Sequence, residues 1–239
     1  MDEPPQSAER RLTRQEISAA VTGLGWRLIL GTLQTYVLVP TLAEAARVVT
    51  VLASATGPEA DLCLQADVRG DRVALTLQSP ATGWVTSRET NLASQISALA
   101  DGLGLATTPD SGPEAAPART VQGVEIGIDA LDIPAIRPFW QAVLGYADEP
   151  GRGGPPNGLV DPVGQGPAIW FQQMDAPRPQ RNRIHFDVVV PHDEAADRIA
   201  AALAAGGRLT YEDEAPAFWV LADPEGDEAC VCTWQGRDG

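Results

Sequence analysis

The sequence predicts an α+β protein in two parts. The first is an N-terminal α-β-β-α-β-β-α sandwich, and the second is a C-terminal pair of β-α-β-β-β repeats forming a cupped sheet. Three observations carry this. In the first half, three helix-start signatures alternate with pairs of strand-like runs. In the middle, a stretch rich in Pro, Ala, Ser and Thr lacks apolar periodicity. In the second half, one order of elements occurs twice. The 239 residues suffice for two domains. Their expected bounds are 12–105 and 121–239, with a linker at 106–120 and a disordered tail at 1–11.

In the first domain, Thr13, Thr41 and Thr86 are each followed three residues later by a glutamate: Glu16, Glu44 and Glu89. In such a capping box the threonine hydroxyl accepts an orphan N–H and the glutamate returns to the N–H of the cap. Helical spacing follows, as in Leu92, Ile96, Leu99 and Leu103. The runs Trp26–Leu30 and Thr35–Val39 flank Gly31–Thr32, a hairpin signal. Leu62–Val68 and Val73–Leu77 flank Arg69–Gly70–Asp71, another. Four antiparallel strands covered by three helices are expected.

In the second domain, Val121–Ile128 reads as a strand, Ala135–Leu144 as a helix, and Asn157–Val160 and Ala168–Gln173 as strands. The pattern returns, with one more strand readable after the helix, as strand Arg183–Val190, helix Asp193–Ala205, and strands Leu209–Glu212, Phe218–Leu221 and Ala229–Trp234. Neither copy closes a core alone, so the two should pack together. Pro138 would cost a backbone bond inside a helix, which places the first helix start just before it.

Composition narrows the function. The formal net charge is −15, from 32 acidic and 17 basic residues. Residues 1–112 carry a net −4 and residues 113–239 a net −11. Such a surface repels phosphate backbones and anionic lipid, so neither nucleic acid nor membrane is expected as a partner. All 17 basic residues are arginine. Without lysine there is no Schiff-base amine and no Walker-type phosphate loop. Cys63, Cys230 and Cys232 are too few for a disulfide framework, Met1 to Arg14 lacks the apolar core of a signal peptide, and no apolar run reaches membrane-spanning length. A reducing cytoplasm is the expected setting. Histidine chemistry is confined to His185 and His192.

The residues "LTRQEI", "GWRLILGTLQTYVLVP" and "TSRETNLASQISALA" give Leu12 to Leu105 a resemblance to pterin-4α-carbinolamine dehydratases. The resemblance implies dehydration of a 4a-hydroxy-tetrahydropterin by paired histidines, a third histidine and a carboxylate. Here Leu62 and Cys63 stand at the paired-histidine positions and Pro80 at the third. The carboxylate remains as Glu89, which the capping box already explains. Acid–base chemistry near neutral pH wants a group titrating near 7, and this pocket offers none that is obvious; Asp61, Asp67 and Cys63 lie nearby and read more simply as surface or core. Loss of the family reaction is therefore expected. The domain would persist as a ligand pocket, or as a packing module making a homodimer.

The residues "GIDALDIPAIRPFWQAVLGY", "NRIHFDVVVP" and "VLADPEGDEACVCTW" make Val121 to Gly239 resemble the vicinal oxygen chelate superfamily of glyoxalases, extradiol dioxygenases and antibiotic-binding resistance proteins. The resemblance implies a divalent metal held by the first and last strand of each repeat, polarising a carbonyl or binding vicinal oxygens. Carried over, the positions are Glu125, Gln172, His185 and Cys230, with Trp170 or Gln173 as register rivals of Gln172. As a group this set is unlike the family's usual His/Gln and Glu combination, and a divalent metal is the one cofactor it could hold.

Blander readings stand beside these. A histidine on a strand is often a hydrogen-bonded core residue, and a strand cysteine is often a small buried hydrophobe. His192 reads as a surface cap beside Asp193 and Glu194. A carboxylate inside a sheet cup costs free energy unless paired, and Arg181 or Arg183 would serve Glu125. Trp140, Trp170, Phe171, Trp219 and Trp234 supply either core or the lining for a flat organic ligand, which Gln172, Gln173, Asp129 and Asp187 could orient. The expected function is binding of a small organic molecule, with Glu125 and His185 as candidate catalytic groups of a lyase or isomerase. Alternatives are sequestration of a metabolite or antibiotic without turnover, and residual 4a-hydroxytetrahydrobiopterin dehydration.

Overall fold

Two positions with positive φ, Leu30 at 47° and Gly31 at 80°, turn the chain back in its first hairpin. In this computed structural model, which describes residues 10–112, 120–150, 158–177 and 184–236, the hairpin joins β1 (Arg27–Ile29) to β2 (Thr32–Leu38). The expectations for most of the tail, for 113–119 of the linker and for Asn157, Arg181 and Arg183 lie outside the described residues.

Before the hairpin, α1 (Arg14–Val21) starts at a closed capping box between Thr13 and Glu16. Arg10 also bonds Glu16. That bond first, and those from Thr13 next, hold the Glu16 carboxyl down at about 2. The next helix, α2 (Leu42–Thr56), is capped on one side only. Thr41 Oγ1 accepts from the Glu44 N–H, but the Glu44 carboxylate takes two bonds from Arg47 instead of returning to the cap. One turn, α3 (Pro58–Asp61), precedes β3 (Leu64–Val68) and β4 (Arg72–Leu77). The sequence-expected strand at Leu62–Val68 thus starts two residues late, leaving Leu62 and Cys63 in the turn. Thr86 and Glu89 close the box that starts α4 (Ser87–Gly102). Then β5 (Thr107–Thr108) pairs with β2 at Tyr36 and Val37.

These strands lie antiparallel in the order β1-β2-β4-β3, with β5 beside β2. One core joins Trp26, Leu33, Val37, Leu75 and Leu77 to Ile17, Val48, Leu52, Leu92 and Ile96. Thr107, which the sequence assigns to the linker, is part of the unit. Its hydroxyl donates to the Leu24 carbonyl and pairs with Ser97, which accepts from the Trp26 indole N–H.

The chain divides between Gly123 and Val124. The second unit opens with β6 (Glu125–Ala130), four residues later than the sequence suggests. Next, α5 (Ile133–Leu144) is capped by Asp132 and has Pro134 in its first turn. Pro138 lies inside this helix, contrary to the sequence expectation. The lost bond is outweighed by burial of Ile133, Ile136, Phe139, Trp140 and Val143 along one face. β7 (Ala147–Asp148), β8 (Leu159–Val160) and β9 (Ala168–Gln173) complete the repeat. β7 is too short to read from sequence. The second repeat is β10 (Phe186–Val189), α6 (Ala195–Ala204), β11 (Arg208–Tyr211), β12 (Phe218–Ala222) and β13 (Glu228–Cys232).

Both repeats build the same four-stranded sheet. The orders are β6-β9-β8-β7 and β10-β13-β12-β11, with the first and last strand of each repeat parallel. Among the described residues these are two sheets rather than one. They share a core through Ile128, Ile169 and Phe171 from one and Val190, Leu221, Ala229 and Val231 from the other. The repeats are tied by Asp223, which is fully buried. Its carboxyl accepts from the Trp140 indole at 3.0 Å and from the N–H groups of Glu225, Gly226 and Asp227 at 2.7 to 2.9 Å. Glu225 in turn accepts from Leu131 and Asp132 at the start of α5.

Asp223→Ala would remove the acceptor of the buried Trp140 indole N–H and free the turn N–H groups of Glu225 and Asp227. Urea unfolding of the variant should show a loss of about 3–5 kcal/mol in the second unit. A loss within about 0.5 kcal/mol, as at an ordinary surface site, would contradict this role.

Candidate functional site

Strand alternation sorts the second unit's side chains between two faces. On β10, Phe186 and Val188 enter the shared core, so His185, Asp187 and Val189 lie on the opposite face. On β13, Ala229 and Val231 enter the core and Cys230 and Cys232 lie opposite. Because the two strands are parallel and adjacent, Asp187 stands beside Cys230 and Val189 beside Cys232.

His185, Asp187 and Cys230 form a cluster. One ligand atom from each lies within 4.8 Å of the other two. His185 Nε2 is 3.4 Å from an Asp187 oxygen. His185 and Asp187 are exposed and Cys230 is buried. Burial first, and then a hydrogen bond to Asp187, push the Cys230 thiol up to about 12. At neutral pH Cys230 is therefore a protonated donor and a weak nucleophile. Imidazole nitrogen, carboxylate oxygen and sulfur make a donor set suited to a borderline ion such as zinc or cobalt, with a coordination position to spare. The set fits a metal.

The first repeat is furnished differently. Glu125 is exposed on β6, and its register partner is Ala168. Gln172 pairs instead with Asp129, four residues further along the strand, and donates to the Gln173 carbonyl. At about 3.3 Å per residue, Gln172 is displaced about 13 Å from the Glu125 end. If Glu125 corresponds to His185, then Gly127 and Trp170 stand where the second repeat has Asp187 and Cys230. The structure thus brings His185 and Cys230 together, with Asp187 as a third donor, while Glu125 and Gln172 lie on the other sheet. The clue to Asp187 in this role was its two-residue offset from His185, which puts both on one face.

Several of the remaining candidates have structural employment. Gln173 bonds the carbonyls of Ala130, Leu131 and Met174. His192 does not cap α6, whose N-cap is Glu194; its Nδ1 accepts from the Trp234 indole at 3.3 Å. Trp140 and Phe171 are core residues, Trp219 is half-buried, and Trp170 and Trp234 are exposed. In the first unit Leu62 and Pro80 are exposed and Cys63 is buried. Glu89 is buried with one oxygen bonded to the N–H and hydroxyl of Thr86 and the other without a hydrogen-bond partner among the described residues.

Residues 125–232 match the family model described as a glyoxalase-like domain. No curated protein matches the chain. Among solved structures, the chain is similar to a glyoxalase/bleomycin resistance protein/dioxygenase family enzyme from Burkholderia phytofirmans PsJN. Identity is 22%, over 46% of this chain and 95% of that one, with a TM-score of 0.37. A glyoxalase-related enzyme from Fulvimarina pelagi is 19% identical over 48% and 88%, with a TM-score of 0.37. The fosfomycin resistance protein FosX from Mesorhizobium loti is 7% identical over 47% and 92%, also at 0.37. No helix among the described residues is long and apolar enough to cross a membrane.

The thiol environment has a direct readout. Alkylation of Cys230 by iodoacetamide, followed on its own peptide, should be negligible at neutral pH and still rising without a plateau through the alkaline range. Asp187→Asn removes the carboxylate that raises the thiol and should shift the profile to lower pH. Fast labelling at neutral pH would contradict the assignment.

Proposed function

We propose that the glyoxalase-like domain binds a small organic molecule on the sheet faces turned away from the shared core, with His185, Asp187 and Cys230 holding a divalent transition metal at one end. The observation that carries this is the convergence of nitrogen, oxygen and sulfur donors within 4.8 Å on strands that the fold makes adjacent. A bound ion would act as a Lewis acid toward a carbonyl or a pair of vicinal oxygens. The chain's own part is to fix the donors. Asp187 sits between the imidazole and the thiol, and the β10–β13 ladder sets their spacing. The proposed reaction class is an isomerisation or lyase step, with the Glu125 carboxylate moving a proton on the ligand.

A second reading is sequestration without turnover. The exposed indole of Trp170 favours it, since a stacking surface holds a flat molecule without needing a reactive group. In this reading Trp170, Gln172, Asp187 and Cys230 are binding residues only.

The first unit we read as a pterin dehydratase-like scaffold retained for packing, ligand binding or homodimer formation. At Leu62, Cys63 and Pro80 it has no histidine, and Glu89 spends one oxygen on its own helix cap. Purified protein should accordingly fail to accelerate dehydration of a 4a-hydroxy-tetrahydropterin. Turnover lost in Glu89→Gln would instead assign the family reaction to this unit.

Cobalt(II) titration tests the metal reading without requiring a substrate. Cobalt bound through Cys230 should give a thiolate-to-cobalt charge-transfer band in the near ultraviolet, saturating at about one equivalent. Cys230→Ser should abolish the band, and His185→Ala should weaken binding at least about tenfold. Binding that leaves the wild-type near-ultraviolet spectrum unchanged would refute the cluster as the metal site.

A further inference from the structure

The first repeat carries an indole where the second carries its donor cluster, and that indole has an unusual setting. Trp170 lies across Gly127 of the neighbouring strand. A Cβ placed on Gly127 would stand 3.0 Å from Cε2 and Cζ2 of the ring. The ring therefore packs closely over the glycine, and a side chain there would push it aside by a few tenths of an ångström. The residue is 43% exposed, and it points away from the core that Ile169 and Phe171 enter. Glu125 and Asp129 stand two residues to either side of Gly127 and so share its face. An aromatic face attracts cations through its quadrupole, and carboxylates beside it add negative potential. Residues 113–239, which include this unit, carry 20 acids against 9 bases.

We propose that Trp170 is the stacking platform for a planar organic cation, an aromatic or heteroaromatic ring bearing positive charge, with Glu125 selecting for that charge. This rests on the small-molecule reading above and names its ligand class. An anionic ring would meet the carboxylates, and a neutral ring would gain the stacking without the charge.

Paired probes differing only in charge test it: N-methylacridinium and acridine, in mildly alkaline buffer where acridine is uncharged. Isothermal titration at low salt should show the cation binding about tenfold more tightly. The preference should fall with added salt and shrink severalfold in Glu125→Gln. Trp170→Ala, a change at a partly exposed position, should weaken both probes while leaving the circular dichroism and thermal midpoint unchanged. Equal binding of the two probes through Trp170 would overturn the charge selection and leave the small-molecule reading standing. A cation preference that survives both substitutions would overturn the site. Failure of both probes to bind would overturn the inference, and the cobalt titration would then decide separately whether the metal reading falls too.

Discussion

One buried carboxyl holds the second unit together. Asp223 has no exposed surface, yet it accepts four N–H groups, one from the α5 helix of the first repeat and three from the turn leading into β13. A buried polar group of this kind is tolerable only when its hydrogen bonds are filled. Filling them ties Trp140 to the turn and presents Glu225 to the start of α5. The same turn launches β13, so the position of Cys230 beside Asp187 descends from it.

From that anchored strand, the site follows by alternation. Apolar residues at every second position go to the shared core, and the residues between them go to the opposite face. Two repeats of identical topology use that face differently. The second places a carboxylate and a thiol side by side on parallel strands, with a histidine two residues away. The first replaces the equivalent pair by a glycine and an indole that packs closely over it. A donor cluster within one repeat and an exposed indole within the other are variations on one ladder.

The sequence made much of this architecture legible because its signals are local. Caps at Thr13 and Thr86 specify helix starts through hydrogen bonds within four residues. Thr41 shows the limit of that logic, since Arg47 competes for the glutamate that would have closed its box. Pro138 shows another. A local cost argued for ending the helix, and burial of a whole apolar face outweighed it. β5 and β7 have two residues each and exist only through their partners, so periodicity could not reveal them. For the site, His185, Asp187 and Cys230 were each visible as polar or metal-binding types. Their convergence was not, because it depends on the register between β10 and β13. Register also explains why Gln172 stands opposite Asp129 rather than at the Glu125 end, where Trp170 is nearer.

In this proposal His185, Asp187 and Cys230 act together as one set of ligands. X-ray absorption at the metal edge of zinc-loaded protein tests it most directly. The spectrum should show one sulfur at about 2.3 Å and nitrogen or oxygen neighbours at about 2.0–2.2 Å, the sulfur vanishing in Cys230→Ser. A first shell of nitrogen and oxygen alone in the wild-type protein would contradict it.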